Sequence, residues 1–187
     1  MWIRWIWDRY EVLFGKILGL QSLGPESLLR VRCITYRGRP LYTGDQAILP
    51  GMRVLDLHLD NRRTAALDRA RGAAVWALRR RWQHEMTLLH HAFQDSYGQA
   101  SGVVATTLLA GGFRDLGFHV AALPGGLWRW WLTLYFRWLQ RVYRPVAPPS
   151  RRRRPQRNPV MLWLTYEELE RLVNGTGPQV LEPPSLG

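Results

Sequence analysis

A single cysteine, Cys33, excludes an internal disulfide and any cysteine-built zinc cluster. Lysine is nearly absent as well. Lys16 is the only one, so arginine supplies almost all the positive charge of a chain with 26 basic and 14 acidic side chains. Acidic residues are missing altogether between Leu116 and Tyr166. Long apolar runs are also lacking: the longest charge-free stretch, Ser96 to Phe113, holds Gln99, Ser101 and four glycines, a poor composition for a bilayer span. Met1 to Trp7 begins apolar, but Arg4, Asp8 and Arg9 interrupt it. No secretory h-region with a small-residue cleavage site follows. These absences predict a cytoplasmic protein, or one peripheral to the inner face of the membrane, without a signal peptide or transmembrane helix.

What is present points to a folded chain. Hydrophobic residues make up 47% of the 187 positions, too many for a disordered polymer, and no repeat period is visible. One domain over residues 1–175 is expected, with an internal Pro/Arg-rich linker at 146–158 and a disordered tail at 176–187. Residues 2–20 read as a helix. Leu29, Val31, Cys33 and Thr35 alternate with Arg30, Arg32, Ile34 and Tyr36, which predicts a strand. Further short strands are expected at Pro40–Tyr42, Ala47–Leu49, Arg53–Leu59, Phe118–Leu123 and Val160–Leu164. Helices are expected from Arg62 to about Gln94, with Asn61 as N-cap, over 99–116 as a small-residue helix, and from Leu127 to Tyr143. Thr165 with Glu168 three residues later has the spacing of a capping box for a last short helix. The fold class is α+β: short, mostly antiparallel strands with several packed helices.

Several catalytic signatures fail on inspection. His84-Glu85 begins like HExxH, but position 88 is leucine, and His90 and His91 come too late to share a metal with His84. Gly98 to Gly102 misplaces Ser101 for a nucleophile elbow, and Ala110-Gly111-Gly112 lacks the lysine of a phosphate loop. Cys33, inside a strand pattern, reads as a structural thiol. No metal and no other cofactor is expected.

One constellation survives. A strand has period two, so Asp56, His58 and Asp60 fall on one face of the Arg53–Leu59 segment, with Asn61 following. A carboxylate beside an imidazole fixes its tautomer and tunes its basicity, which makes His58, Asp56 and Asp60 candidates for acid–base work. His58, Asp60 and Asn61 are the candidates for binding a sugar or phosphate ligand. A polar outer sheet face with a helix cap is the competing structural reading.

The excess charge lies elsewhere. Arg129, Arg137, Arg141, Arg144, Arg151, Arg152, Arg153, Arg154 and Arg157 occupy the acid-free stretch. On a helical wheel Arg129, Thr133, Arg137, Gln140, Arg141 and Arg144 share an arc of roughly 120°, beside Trp131, Leu134, Trp138 and other apolar residues, while Trp130 falls among the arginines. A solvated basic face, docking on an anionic membrane surface and nucleic-acid binding all fit that pattern, nucleic acid least because no known recognition motif accompanies it.

The block Leu49-Pro50-Gly51-Met52-Arg53-Val54-Leu55-Asp56-Leu57-His58-Leu59-Asp60-Asn61 resembles the signature of the YkoP-like domain. So do Gly111 to Val120 with its Leu116-Gly117-Phe118 core, the Val142-Tyr143-Arg144-Pro145 break, the Val160 to Thr165 stretch with Glu167-Glu168-Leu169, and Trp7-Asp8-Arg9. Met52 and Asp56 stand where the pattern would have Asp and Glu. The resemblance implies a bacterial domain that occurs alone or appended to polysaccharide deacetylases. It therefore implies a stand-alone, non-catalytic accessory module in cell-envelope polysaccharide metabolism, partnered by a polysaccharide or a polysaccharide-modifying enzyme. The alternatives are a small enzyme using the His/Asp site on a sugar or phosphate substrate, and a peripheral membrane or nucleic-acid binder working through the arginines.

Overall fold

A computed structural model describes residues 9, 13, 15–60, 63, 74–107, 113–114, 116–123, 125–142 and 159–175. The strands are β1 (Gln21–Ser22), β2 (Leu29–Thr35), β3 (Leu41–Thr43), β4 (Gln46–Ile48), β5 (Arg53–Leu59), β6 (Gly102–Thr107), β7 (His119–Ala122) and β8 (Val160–Thr165). The helices are α1 (Ala74–Ser96), α2 (Leu127–Val142) and α3 (Tyr166–Val173). Six strands form one sheet in the order β1-β2-β5-β6-β8-β7, and β3 and β4 make a separate two-stranded ribbon. All ladders are antiparallel except β5–β6. That parallel pair is joined through α1, because parallel neighbours need a long crossover. The fold is α+β with mostly antiparallel strands.

One face of the sheet carries the main core. Leu29, Val31, Leu55, Leu57, Val103, Ala105, Leu162 and Leu164 pack with Trp82, Met86, Leu89 and Phe93 of α1 and Leu169 of α3. Phe113, Leu116 and Phe118 close the same cluster, and Trp82 meets Phe113 and Phe118 edge-on. The other face has a smaller cluster, Tyr36, Leu41, Ile48, Val54, Val104 and Trp163. Leu41 and Ile48 belong to the β3–β4 ribbon, which covers only part of this face. The strand-period alternation therefore buries Leu55 and Leu57 on the first face and leaves Asp56 and His58 on the second.

The helix expected over 99–116 is corrected by β6 at Gly102–Thr107. Val103 and Val104 are β-branched, and both are buried, on opposite faces of the sheet. A strand covered on both faces reads as a continuous apolar run, so its period is not visible. Phe113 and Arg114 are helical, at the end of the expected span. The capping box at Thr165 and Glu168 is present. The linker at 146–158, the tail at 176–187, Asn61 and most of residues 2–14 lie outside the described residues.

Candidate ligand-binding face

The register of β2 on β5 builds the centre of the site. It sets Arg32 opposite Asp56 and Arg30 opposite His58. The Arg32 Nε donates to Asp56 Oδ2 at 2.8 Å, and its Nη2 lies 2.7 Å from the same oxygen. His58 Nε2 stands 2.9 Å from that oxygen too. An ionised carboxylate only accepts, so Nε2 carries the proton, and Nδ1 of the neutral ring is a lone-pair acceptor. Side chains at i and i+2 along a strand thus meet here, which sequence spacing alone left open.

The unspent hydrogen-bonding capacity is informative. Among the described residues, Asp56 Oδ1, His58 Nδ1 and Arg32 Nη1 take no protein hydrogen bond. One carboxylate acceptor, one ring nitrogen and one guanidinium donor are thus left over within a single triad whose side chains are 16% to 33% exposed.

Burial pushes the Asp56 carboxyl up, but its hydrogen bonds and charge attraction to His58 and Arg32 outweigh that, and the net pKa lies below the ordinary value.

Asp60 stands differently from its neighbours. It lies past the end of β5 and is only 5% exposed. Its Oδ2 is 2.5 Å from Arg30 Nη2, and its Oδ1 accepts the Arg63 backbone N–H at 3.1 Å. That i to i+3 bond is the N-cap pattern expected one residue later, at Asn61. Arg63 Nη1 also reaches the Ser27 carbonyl at 2.7 Å. Asp60 therefore anchors Arg30, the cross-strand neighbour of His58, and a chain turn, and is itself buried.

A second histidine–carboxylate pair, unforeseen from sequence, lies on the same sheet face. His119 Nε2 is 2.7 Å from Glu168 Oε1, and Thr43 Oγ1 donates to the same oxygen at 3.1 Å. Glu168 Oε2 accepts the Thr165 backbone N–H at 3.1 Å, and the Thr165 hydroxyl bonds Gln46 at 2.5 Å. The His119 ring stacks on Trp163 with centroids 4.5 Å apart. Burial raises the Glu168 carboxyl, but the His119 and Thr165 hydrogen bonds, the His119 charge and the Thr43 hydroxyl carry it below its ordinary value. Pairing runs Asp56–Val104–Trp163–His119 in one row across four strands. Asp56 and His119 are thus three strand spacings, roughly 14 Å, apart. The capping box did signal Glu168, but its partner is 49 positions away, beyond any local pattern.

Both carboxylates stabilise the fold in the same direction. A folded pKa below the unfolded one gives stability that is complete above the unfolded value and lost as pH falls through the folded value. Acid destabilisation is therefore expected below about pH 4. The Asp56→Asn, Glu168→Gln double variant should show a shallower acid limb in urea midpoints measured between neutral and acid pH.

Arg129 and Arg137 are exposed on α2, Arg141 lies in its last turn, and Arg144, Arg151, Arg152, Arg153, Arg154 and Arg157 are outside the described residues. Among the described residues no three His, Cys, Asp or Glu side chains gather as metal ligands, and no helix is long and apolar enough to cross a membrane.

A family model for the YkoP domain matches residues 1–173. The chain belongs to the YkoP domain family. No curated protein and no solved structure matches it. The matched span of this YkoP domain takes in every strand and helix of the sheet layer, including both histidine–carboxylate pairs.

Proposed function

We propose that this YkoP domain is a non-catalytic accessory module that binds envelope polysaccharide on the partly exposed sheet face between Arg32 and His119. The unspent acceptor and donor groups of the Arg32–Asp56–His58 triad carry this reading. A saccharide hydroxyl both donates and accepts, so it pairs with Asp56 Oδ1 and with Arg32 Nη1 or His58 Nδ1 together. The mutual bonds of the triad hold those groups in place before a ligand arrives, which lowers the ordering cost of binding. Asp60 contributes indirectly by fixing Arg30. The envelope assignment rests on the family's association with polysaccharide deacetylases.

Co-sedimentation with insoluble peptidoglycan tests it. Binding should persist from low to high salt, because hydrogen bonds rather than released counterions supply the affinity. His58→Ala should weaken it about tenfold, the loss of one hydrogen bond to the ligand and of a fixed partner for Asp56. The absence of glycan binding would refute the proposal. A rival reading draws on the 2.9 Å His58–Asp56 contact, the geometry of an acid–base pair. Turnover of a phosphorylated or acylated sugar that disappears in His58→Ala would replace the binding module with an enzyme.

A further inference from the structure

Helix α2 carries large apolar side chains that stay exposed. Leu127, Trp130, Trp131, Leu134 and Trp138 are between 46% and 83% exposed. At 100° per residue these five fall within an arc of about 100°, which the arginine arc overlaps at Trp130 and Arg141. Among the described residues no other element packs extensively on α2. Arg129 and Arg137 are exposed on the same helix, and the acid-free sequence adds Arg141, Arg144, Arg151 to Arg154 and Arg157 just after it. Exposed tryptophan is costly in water and favoured at the headgroup level of a bilayer, where its ring is buried and its N–H stays hydrated.

We infer that α2 docks this protein on an anionic phospholipid surface, lying in the plane of the interface. The length decides the orientation. Sixteen residues extend only about 24 Å, short of the roughly 30 Å hydrocarbon core. The charge decides the lipid. Nine arginines without one acid across Gly117–Thr165 match a negatively charged leaflet, where each adjacent base strengthens binding about fivefold. The same charge disfavours a second copy of this chain, since pairing two stripes would bring like arginine flanks together on a protein of net charge +12. Leu127 and Leu134 sit among the tryptophans. An aliphatic side chain there suits acyl chains and offers no stacking surface to a nucleobase or a sugar ring. This surface is independent of the sheet-face site.

Vesicle flotation of the full chain is the test. With phosphatidylcholine and phosphatidylglycerol mixed seven parts to three, the protein should float with the vesicles and be released as salt rises. With phosphatidylcholine alone it should stay at the bottom. Arg129→Gln with Arg137→Gln should weaken flotation about 25-fold. Trp130→Ser with Trp131→Ser, at exposed positions, should abolish it while the thermal midpoint is kept. Flotation that ignores phosphatidylglycerol, that survives the tryptophan pair, or that never occurs would overturn the inference. So would a stable dimer that covers α2, or single-stranded nucleic acid binding with no vesicle binding.

Discussion

Glu85→Ala is expected to lower the unfolding free energy by about 3 kcal/mol or more. Glu85 is completely buried on α1, yet both of its oxygens are used. Oε2 accepts the Ser27 hydroxyl at 2.5 Å, and Oε1 accepts the Leu28 backbone N–H at 2.9 Å. Ser27 and Leu28 are themselves buried. Truncation would leave the Leu28 N–H without a partner in an apolar surrounding and the Ser27 hydroxyl with only its longer 3.2 Å bond to the Leu29 carbonyl, and would open a void between α1 and the start of β2. Glu85→Gln keeps an acceptor for one of the donors and should cost about 1 kcal/mol. Urea denaturation measures both, with the m-value unchanged. The latch matters for function because it fixes the residues immediately before β2. Arg30 and Arg32 take their register from there, so glycan affinity should fall with stability in Glu85→Ala. Equal stability of Glu85→Ala and the parent would refute the latch.

Gly102→Ala is expected to cost a comparable amount, about 3 kcal/mol. A Cβ at Gly102 would press on the Leu164 carbonyl oxygen, and would stand 2.9 Å from Ile48 Cδ1 and 3.1 Å from Thr165 Cα. Two of these three neighbours are backbone atoms. Gly102 pairs with Thr165 at the start of β6, a strand held by β5 on one side and β8 on the other. Neither backbone can retreat without breaking a ladder. The strain would also fall on Thr165, which caps α3 and bonds Gln46, so the His119–Glu168 pair should loosen too. A thermal melt followed by circular dichroism reads the first effect. An unchanged melting temperature would show that β6 and β8 are not so close.

Much of this arrangement was legible in the sequence, for identifiable reasons. Arg53–Leu59 was readable as a strand because Leu55, Leu57 and Leu59 alternate with Asp56 and His58 over a half-covered sheet. Thr165 and Glu168 announced their helix because a capping box is a local device. Three features were hidden. β6 lost its alternation because both its faces are buried. Glu85 lay inside a motif considered for metal binding, although it sits three residues after Trp82 and one before Met86, on the buried stripe of α1. The His119–Glu168 pair depends on β7 and α3 meeting across β8, which no local spacing encodes. Asp60 continues the alternation one step past β5 and reaches Arg30 beside His58, but it is buried there, which the sequence does not signal.

The two surfaces have different physics, and this separates them experimentally. The sheet face offers a few fixed hydrogen-bonding groups and should be insensitive to salt. The α2 stripe offers tryptophans beside arginines and should be strongly sensitive. Titration of the labelled protein with soluble N-acetylglucosamine oligomers, followed by two-dimensional NMR, distinguishes them residue by residue. Shifts should appear at Arg32, Asp56, His58 and His119, be lost in His58→Ala, and persist at high salt. Shifts confined to α2, or no shifts at saturating oligomer, would refute glycan binding on the sheet face.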